Sequence, residues 1–373
     1  MRIAAAILFS AFLGSGTLCI PPPAAASQDQ TKTAAAPSPQ QAEFRRRTME
    51  QLTPEQRAHL QRNGQVDREQ WIREHPARES TGLIPIPELK GTYKGEEGGL
   101  YPGGQNTPPV AHLRAGEALA RKIEPLDATG HPAPDGKIVM ISVGMSNTTM
   151  KFQTFQKIAA TDHTLNPKLV LVDGAQGSQV AWITSNPRMP FWDVVDERLT
   201  AAGVTRNQVQ AAWLLQANPG PYRPFPAEAK ELEANIADTL RVMHDRFPNL
   251  RITYLSSRTY AGYATSPLNP EPFAYESGFA VKRVIAGQIG GRPELNYDSA
   301  KGSVRSPWIE WGPYIWADGI KANRDGLSYA GEDYGEQDGT HPSPSGRMKV
   351  ATRLLQFLKT DPTAKQWFLG SHD

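Results

Sequence analysis

Four short apolar runs, separated by longer stretches with helical periodicity, constrain the fold of this chain most strongly. The runs are apolar at consecutive positions, which is typical of strands buried on both faces. They occupy residues 138–143, 169–172, 211–215 and 252–255. Helical patterns near 150–160, 192–202 and 227–246 lie between them. This alternation predicts an α/β fold, in which right-handed crossovers join the strands of a mostly parallel sheet covered by helices on both sides.

Polar residues and glycines follow each apolar run, where the predicted strand ends. The carboxyl ends of parallel strands meet at one edge of a sheet, so these residues are expected to lie close together. Short motifs of this kind are also common in ordinary turns, and a purely structural role is the alternative at each position. The residues that follow the runs, in order, are Ser146 after a glycine, the glycine-rich bend 173–178, Asn218 before a proline, and the polar cluster 256–260 with Arg258.

A fifth segment, 338–346, places an acid and a histidine three residues apart just before an amphipathic helix at about 345–359. A carboxylate near an imidazole can select its tautomer and stabilise its protonated form, as a Ser-His-Asp mechanism requires. Asp338 and His341 are therefore candidate catalytic residues, with Ser146 as the nucleophile. The alternative is a plain turn, in which Ser343 caps the following helix.

Taken together, these motifs resemble the four blocks of the SGNH hydrolases, also called GDSL-type esterases. The resemblance covers about residues 135–360 and is strongest at 338–343, Asp-Gly-Thr-His-Pro-Ser. It implies a three-layer α/β/α fold, SGNH or flavodoxin-like, with Ser146 as nucleophile, His341 as general base and Asp338 as its orienting acid. It also implies an oxyanion hole made by the backbone N–H groups of Ser146 and Gly177 and the side chain of Asn218, with Gly174 as the alternative to Gly177.

The chain departs from the family pattern in two blocks. Met145 stands where the first block usually has an aspartate, and Gln216 and Pro219 replace the ends of the third block around Asn218. Neither change removes a catalytic group. The resemblance is therefore to a divergent member.

A long segment, at about 260–334, leaves the strand-helix pattern and is read as an insertion rich in aromatic and polar residues. Aromatic faces beside carboxylates suit sugar rings, which stack on them and hydrogen-bond at their edges. The alternative is that the rings only pack the segment. The candidate substrate-binding residues, in and just before the segment, are Arg258, Tyr260, Glu276 and Trp311.

Composition narrows the possible partners and cofactors. With 40 basic and 38 acidic residues, the chain has no charge excess that would favour a nucleic-acid partner. The one cysteine, Cys19, and the scattered histidines show no metal-ligand spacing. The sequence therefore predicts no metal and no cofactor, and it does not indicate an oligomeric state.

The amino terminus has the pattern of an export signal. Arg2 precedes an apolar run, and an Ala-x-Ala site predicts cleavage after Ala26. The apolar run is too short for a membrane span, so no stable membrane insertion is expected. A lipoprotein signal at Cys19 is the weaker alternative, because Leu18 stands where a small residue is needed. We expect the protein to be secreted or periplasmic.

The predicted domain organisation has four parts. They are a signal peptide at 1–26, a disordered linker at 27–40, a helical amino-terminal extension at 41–80, and a hydrolase domain at 81–373. The predicted function is an exported, acetylesterase-like serine esterase that hydrolyses acetyl or other small acyl esters on a carbohydrate. The alternatives are an inactive carbohydrate-binding protein on the same fold and a lipid or thioester hydrolase.

Overall fold

The computed structural model describes residues 38–220, 223–335 and 338–370. The predicted signal peptide, and residues 27–37 of the predicted linker, lie outside the described residues. The first of the described residues, Ser38, caps the first helix: its side chain accepts a hydrogen bond from the Gln41 N–H, and the Gln41 side chain accepts one from the Ser38 N–H.

The helices and strands of the described residues are, in chain order, α1 (Pro39–Gln51), α2 (Pro54–Gly64), α3 (Arg68–Glu74), β1 (Thr92–Tyr93), β2 (Glu96–Glu97), α4 (Val110–Ala120), β3 (Ile138–Gly144), α5 (Ser146–Ala159), β4 (Leu169–Asp173), α6 (Ala181–Thr184), α7 (Phe191–Ala201), β5 (Val209–Leu215), α8 (Ala227–Arg246), β6 (Ile252–Ser256), α9 (Phe273–Ile289), β7 (Trp308–Trp311), α10 (Pro344–Thr360) and α11 (Lys365–Phe368).

A central sheet of five parallel strands, in the order β4-β3-β5-β6-β7, forms the middle layer. If the five strands of this sheet are numbered 1 to 5 in chain order, beginning with β3, the spatial order is 2-1-3-4-5, which is the order of flavodoxin-like sheets. All seven residues of β3 and all seven of β5 are buried, which agrees with their continuous apolar sequences. The α/β prediction is confirmed.

Helices cover the sheet on both faces. The chain goes from β3 outward to β4 and then crosses to β5 on the other side of β3, so right-handed crossovers place α5 on one face and α7, α8 and α9 on the other. In agreement, α5 packs against α10, and α8 packs against α9. The amphipathic helix α10 buries Val350, Ala351, Leu354 and Leu358.

The strand β7 was not predicted from the sequence. It pairs in parallel with β6 and is joined to it by α9, so residues 260–334 continue the strand-helix pattern instead of leaving it. The sequence pattern hides this strand because a carboxylate, Glu310, stands in its middle. That carboxylate is buried and accepts a hydrogen bond from Thr363 Oγ1 at 2.5 Å.

The amino-terminal helices pack on loops of the central domain. His59 Nε2 of α2 lies 2.6 Å from the Pro219 carbonyl oxygen, just beyond the end of β5. Arg68 of α3 donates to Thr265 Oγ1, and the Tyr260 hydroxyl donates to the Arg78 carbonyl oxygen at 2.6 Å. The segment that follows β5 thus contacts the extension directly. No helix in the described part of the chain is long and apolar enough to cross a membrane.

Candidate active site

The crevice at the carboxyl ends of β3 and β5 is where ligands bind in sheets of this topology, because the crossovers leave these two strands in opposite directions. Gly144, at the end of β3, pairs with Leu215, at the end of β5. A Cβ on Gly144 would lie 2.4 Å from the Leu215 carbonyl oxygen, so only glycine allows this close approach. Two residues later, the partly exposed Ser146 begins α5.

Ser146 lies opposite the predicted histidine. Ser146 Oγ is 2.6 Å from His341 Nε2. On the other side of the imidazole ring, His341 Nδ1 is 2.5 Å from Asp338 Oδ2. The carboxylate can only accept, so Nδ1 carries the proton and Nε2 is left as an acceptor for the serine hydroxyl. The three residues can therefore act as nucleophile, base and orienting acid.

The backbone of the Asp338 loop fixes the carboxylate in place. Asp338 Oδ1 accepts hydrogen bonds from the N–H groups of Thr340 and His341, both at 2.8 Å. Gly339 has φ +61°, and a Cβ there would lie 1.8 Å from the Tyr263 carbonyl oxygen. The tight turn thus requires a glycine between the acid and the histidine.

Burial alone would raise the pKa of Asp338, but its hydrogen bonds with His341 and Thr340 outweigh that effect and lower the pKa to about 2. Asp338 is therefore ionised at neutral pH. It holds the imidazole in one tautomer and stabilises the positive charge that develops when His341 accepts a proton.

The helix start at Ser146 supplies one candidate oxyanion donor. The first N–H groups of an α-helix have no partner within the helix, and the helix dipole favours negative charge beside them. Among the described residues, the Ser146 N–H donates no backbone hydrogen bond. It is free to donate to an anionic oxygen bonded to the carbon that Ser146 Oγ attacks.

The two glycines considered for the second donor, Gly174 and Gly177, differ in their surroundings. Gly174 is buried, and a Cβ there would lie 2.6 Å from the Ser142 carbonyl oxygen, so this glycine serves close packing. Gly177 is partly exposed, and apart from its own atoms and those of its two chain neighbours no described atom lies within 4 Å of its Cβ position. Its N–H has no acceptor in the described part of the chain. The neighbouring Gln176 N–H bonds to the Gly144 carbonyl oxygen at 3.0 Å, which holds this loop beside Ser146.

Asn218 follows β5 and is fully buried. Its Nδ2 donates to Glu228 Oε1 at 3.1 Å, and its Oδ1 accepts from Asn235 Nδ2 at 3.1 Å. Nδ2 carries two protons, and the second has no acceptor within residues 38–220, 223–335 and 338–370. A buried N–H without a partner costs stability, which is typical of a donor reserved for function.

The four side chains predicted to bind substrate are buried inside the protein. Tyr260 bonds to the Arg78 carbonyl oxygen, and Trp311 Nε1 donates to the Leu100 carbonyl oxygen at 2.8 Å. Glu276 accepts from the Tyr93 hydroxyl at 2.7 Å. In this conformation these residues hold loops together, as the packing alternative expected. Their contact with a substrate remains a prediction that this arrangement does not support.

Arg258, the fourth of them, lies next to the nucleophile but faces the interior. With the Asn147 amide oxygen turned toward it, Arg258 Nη1 donates to that oxygen at 2.8 Å. Asn147 directly follows Ser146. Burial lowers the pKa of Arg258 to about 10, and burial together with the Arg258 charge lowers the pKa of the neighbouring Lys151 well below its usual range. Two buried basic side chains thus lie beside the first turns of α5.

Sequence reasoning missed several side chains of this site: Asn147, Lys151, Glu228, Asn235 and His59. Each lies on a helix whose sequence pattern gives no sign of a function. Glu228 and Asn235, seven residues apart on α8, are on one face of that helix, and this spacing is the only signal that connects them.

In the described segments, no group of three or more His, Cys, Asp or Glu side chains is arranged to hold a metal ion. The chemistry suggested by Ser146, His341 and Asp338 combines nucleophilic attack by the serine oxygen, proton transfer and hydrogen bonds.

Comparison with known proteins gives little that bears on activity. No family model matches the sequence, and no curated protein matches it. The structure is similar to a carbohydrate esterase family 3 protein from Talaromyces cellulolyticus, at 10% sequence identity and a TM-score of 0.32, covering 58% of this chain and 94% of that one.

Two further solved structures are similar at the same low level. One is a salicylyl-acyltransferase from a tetracycline biosynthetic pathway, with 13% identity, a TM-score of 0.35, and coverage of 62% of this chain and 58% of that chain. The other is the periplasmic domain of a lipopolysaccharide acetyltransferase from Salmonella ser. Paratyphi A, with 12% identity, a TM-score of 0.32, and coverage of 66% and 95%. These similarities are too weak to assign an activity.

Proposed function

We propose that the protein is a serine ester hydrolase of the SGNH type. The observation that carries this proposal is the hydrogen-bonded chain from Ser146 Oγ through His341 to Asp338, with distances of 2.6 Å and 2.5 Å. A hydroxyl is unreactive at its free pKa and needs an adjacent, oriented base to become a nucleophile. This chain provides one.

In the proposed mechanism, His341 Nε2 takes the proton from Ser146 Oγ as that oxygen attacks the ester carbonyl carbon. The carbonyl oxygen becomes an oxyanion, and the N–H groups of Ser146 and Gly177 and Nδ2 of Asn218 donate to it. His341 then gives its proton to the departing alcohol oxygen, leaving an acyl group on Ser146. A water molecule, deprotonated by His341, releases the acid by the same two steps in reverse.

The proposed substrate is an acetyl or other small acyl ester on a carbohydrate. The small acyl ester rests on the resemblance of the motifs to the SGNH hydrolases, and the carbohydrate was inferred from the aromatic and carboxylate side chains of residues 260–334. The burial of the four predicted substrate-binding side chains removes the support that they gave to a carbohydrate. The rival proposal of an inactive binding protein does not account for a base that already lies within hydrogen-bond distance of a partly exposed serine.

The proposal includes export, with the signal peptide at 1–26, the linker at 27–40, the helical extension at 41–80, and the hydrolase domain at 81–373. It includes no metal and no cofactor. Within it, the extension supports the hydrolase domain, since α2 contacts Pro219 beside the proposed oxyanion donor Asn218.

The test is an assay of the purified protein and of Ser146→Ala on 4-nitrophenyl acetate, on esters of longer acyl chains, on an acyl thioester and on an acetylated oligosaccharide. We expect hydrolysis by the wild type, fastest with the shortest acyl chain, and loss of nearly all of it in Ser146→Ala. A Ser146→Ala variant with wild-type activity would overturn the proposal. Preference for long-chain or thioester substrates would instead favour the lipid or thioester rival.

A further inference from the structure

The side-chain amide of Asn218 is held from both ends by two residues of α8. Glu228 Oε1 accepts from Asn218 Nδ2, and Asn235 Nδ2 donates to Asn218 Oδ1, both at 3.1 Å. Glu228 and Asn218 are almost completely buried, with 2% and 0% of their surface exposed. The cluster therefore exchanges few of its hydrogen bonds with water.

These two partners decide which way the amide points. If the amide were rotated by half a turn, its oxygen would face the Glu228 carboxylate and its Nδ2 would face the Asn235 Nδ2. Acceptor would then meet acceptor, and donor would meet donor, in a buried site where an unmade hydrogen bond is costly. Only the observed orientation satisfies both partners, and it leaves one N–H of Nδ2 without an acceptor among the described residues.

The carboxylate form of Glu228 matters for this arrangement. Its Oε1 accepts from Asn218, and its Oε2 accepts from the Arg223 N–H at 3.2 Å. Both oxygens are therefore acceptors, which a glutamine cannot reproduce because one of its terminal atoms is a donor. These hydrogen bonds and the start of α8, whose dipole favours an acid, offset the burial of Glu228 only in part. Burial still raises the pKa of Glu228 to about 7, so the carboxylate form predominates above that pH.

We propose that Glu228 is a positioning residue of the oxyanion site: together with Asn235 it fixes the Asn218 amide so that a free N–H of Nδ2 faces the oxygen of the attacked carbonyl group. This inference rests on the proposed serine esterase function, and it adds to it a buried acid that no catalytic motif contains. Glu228 acts through Asn218 and does not touch the substrate.

The experiment measures kcat and KM on 4-nitrophenyl acetate for Asn218→Ala, Glu228→Gln, Asn235→Asp and the double variant Asn218→Ala/Glu228→Gln. Removal of one oxyanion donor lowers kcat roughly 100-fold or more, and we expect this for Asn218→Ala. Glu228→Gln should lower kcat roughly tenfold or more with KM nearly unchanged, since the amide is misdirected but still present.

The double variant separates positioning from a general structural role. If Glu228 acts only through Asn218, the kcat of the double variant should equal that of Asn218→Ala, because the second change has nothing left to misdirect. A further loss of the same size as in the wild-type background would overturn the inference. Asn235→Asp tests the same idea from the other end of the amide and remains informative if Glu228→Gln fails to fold.

Glu231→Gln is the matched control. Glu231 lies one turn further along α8, accepts from Trp182 Nε1 at 3.0 Å and pairs with the Arg223 side chain at 3.7 Å, and among the described residues it has no hydrogen bond with Asn218. It should keep wild-type kcat. If Glu228→Gln and Asn235→Asp both keep wild-type kcat while Asn218→Ala is impaired, the positioning role of Glu228 is overturned. Asn218 would then remain a candidate oxyanion donor. Wild-type kcat in Asn218→Ala would overturn the inference. The role of Ser146 as nucleophile would be in question as well only if Ser146→Ala were also active.

Discussion

Ser146 and His341 are separated by 195 residues in sequence, yet Oγ of the serine lies 2.6 Å from Nε2 of the histidine. Two turns create this contact. Gly144 lets β3 end against β5, and Gly339 lets the Asp338 loop fold against the Tyr263 backbone. The predictions below follow from this contact and from the groups that surround it.

Asp338→Asn should reduce kcat by about 10³–10⁴-fold while leaving the fold intact. The asparagine oxygen would take over the two backbone N–H groups that Asp338 Oδ1 accepts, so the amide nitrogen would donate to His341 Nδ1. The imidazole proton would then move to Nε2, which could no longer accept from Ser146. Steady-state kinetics and thermal unfolding on the same preparation check this. An active variant with unchanged kcat would show that Asp338 does not orient the histidine.

Gly177→Ala and Gly174→Ala should have opposite effects. The Gly177 Cβ position is open, so its variant should fold with unchanged stability but lower kcat/KM by roughly tenfold or more, because the methyl group obstructs the approach to the donor. In Gly174→Ala the methyl group would meet the Ser142 carbonyl oxygen, so we expect a loss of about 1–3 kcal/mol of stability. Urea unfolding and kinetics on both variants check the pair. Wild-type kcat/KM in Gly177→Ala would show that the substrate does not approach the Gly177 N–H from the side of the added methyl group.

Glu228 should make the stability of the protein fall as the pH rises from about 4.5 to about 7. Burial raises the pKa of this carboxyl to about 7, against hydrogen bonds from Asn218 and Arg223 that lower it. The folded state therefore binds more protons than the unfolded state in that window, and folding is favoured at its acid end.

Glu228→Gln should remove this slope, a difference on the order of 1–3 kcal/mol between the two ends of the window. Urea unfolding of wild type and variant at several pH values from 4 to 8 measures it, and the constant cost of the substitution cancels in the comparison of slopes. Parallel curves would mean that Glu228 titrates in the folded protein as it does in the unfolded chain.

Asp318 should contribute strongly to stability without affecting the chemistry. It is buried and accepts hydrogen bonds from the Ser80 hydroxyl, the Thr81 N–H and hydroxyl, and the Gly82 N–H. These bonds attach the segment that follows α3 to the central domain. Asp318→Ala leaves several partly buried donors without their acceptor, so we expect a loss of about 1–3 kcal/mol.

Asp325→Ala is the control for Asp318, because the Asp325 side chain is 46% exposed and its one ion pair among the described residues is with Arg324, at 3.8 Å. It should change stability by less than about 0.5 kcal/mol. Urea unfolding measures both variants. Equal stability of the two would show that the Asp318 hydrogen bonds contribute little.

The α/β class of the central domain and four of the five strands of its sheet were predicted from the sequence, and the physical reason is local. Strands that are buried on both faces are apolar at nearly every position, so the strands at 138–143 and 211–215 could be recognised from their sequences. The amphipathic spacing of α10 likewise predicted its buried face. The strand β7 was not recognised because it contains Glu310. Its burial depends on a hydrogen bond that Glu310 accepts from Thr363, which is distant in sequence.

The sequence identified Ser146, Asp338 and His341 as candidates because each lies in a short motif that contains the glycine its turn requires. Gly144 stands two positions before the serine, and Gly339 stands between the acid and the histidine. The neighbouring residues in the sequence do not determine whether a polar side chain faces a cleft or the protein interior. Arg258 and Trp311 read like binding residues and are buried, whereas Glu228 reads like a surface residue and holds Asn218. The partners that decide these cases come from other elements of the fold, and only the packing of those elements brings them within hydrogen-bond distance.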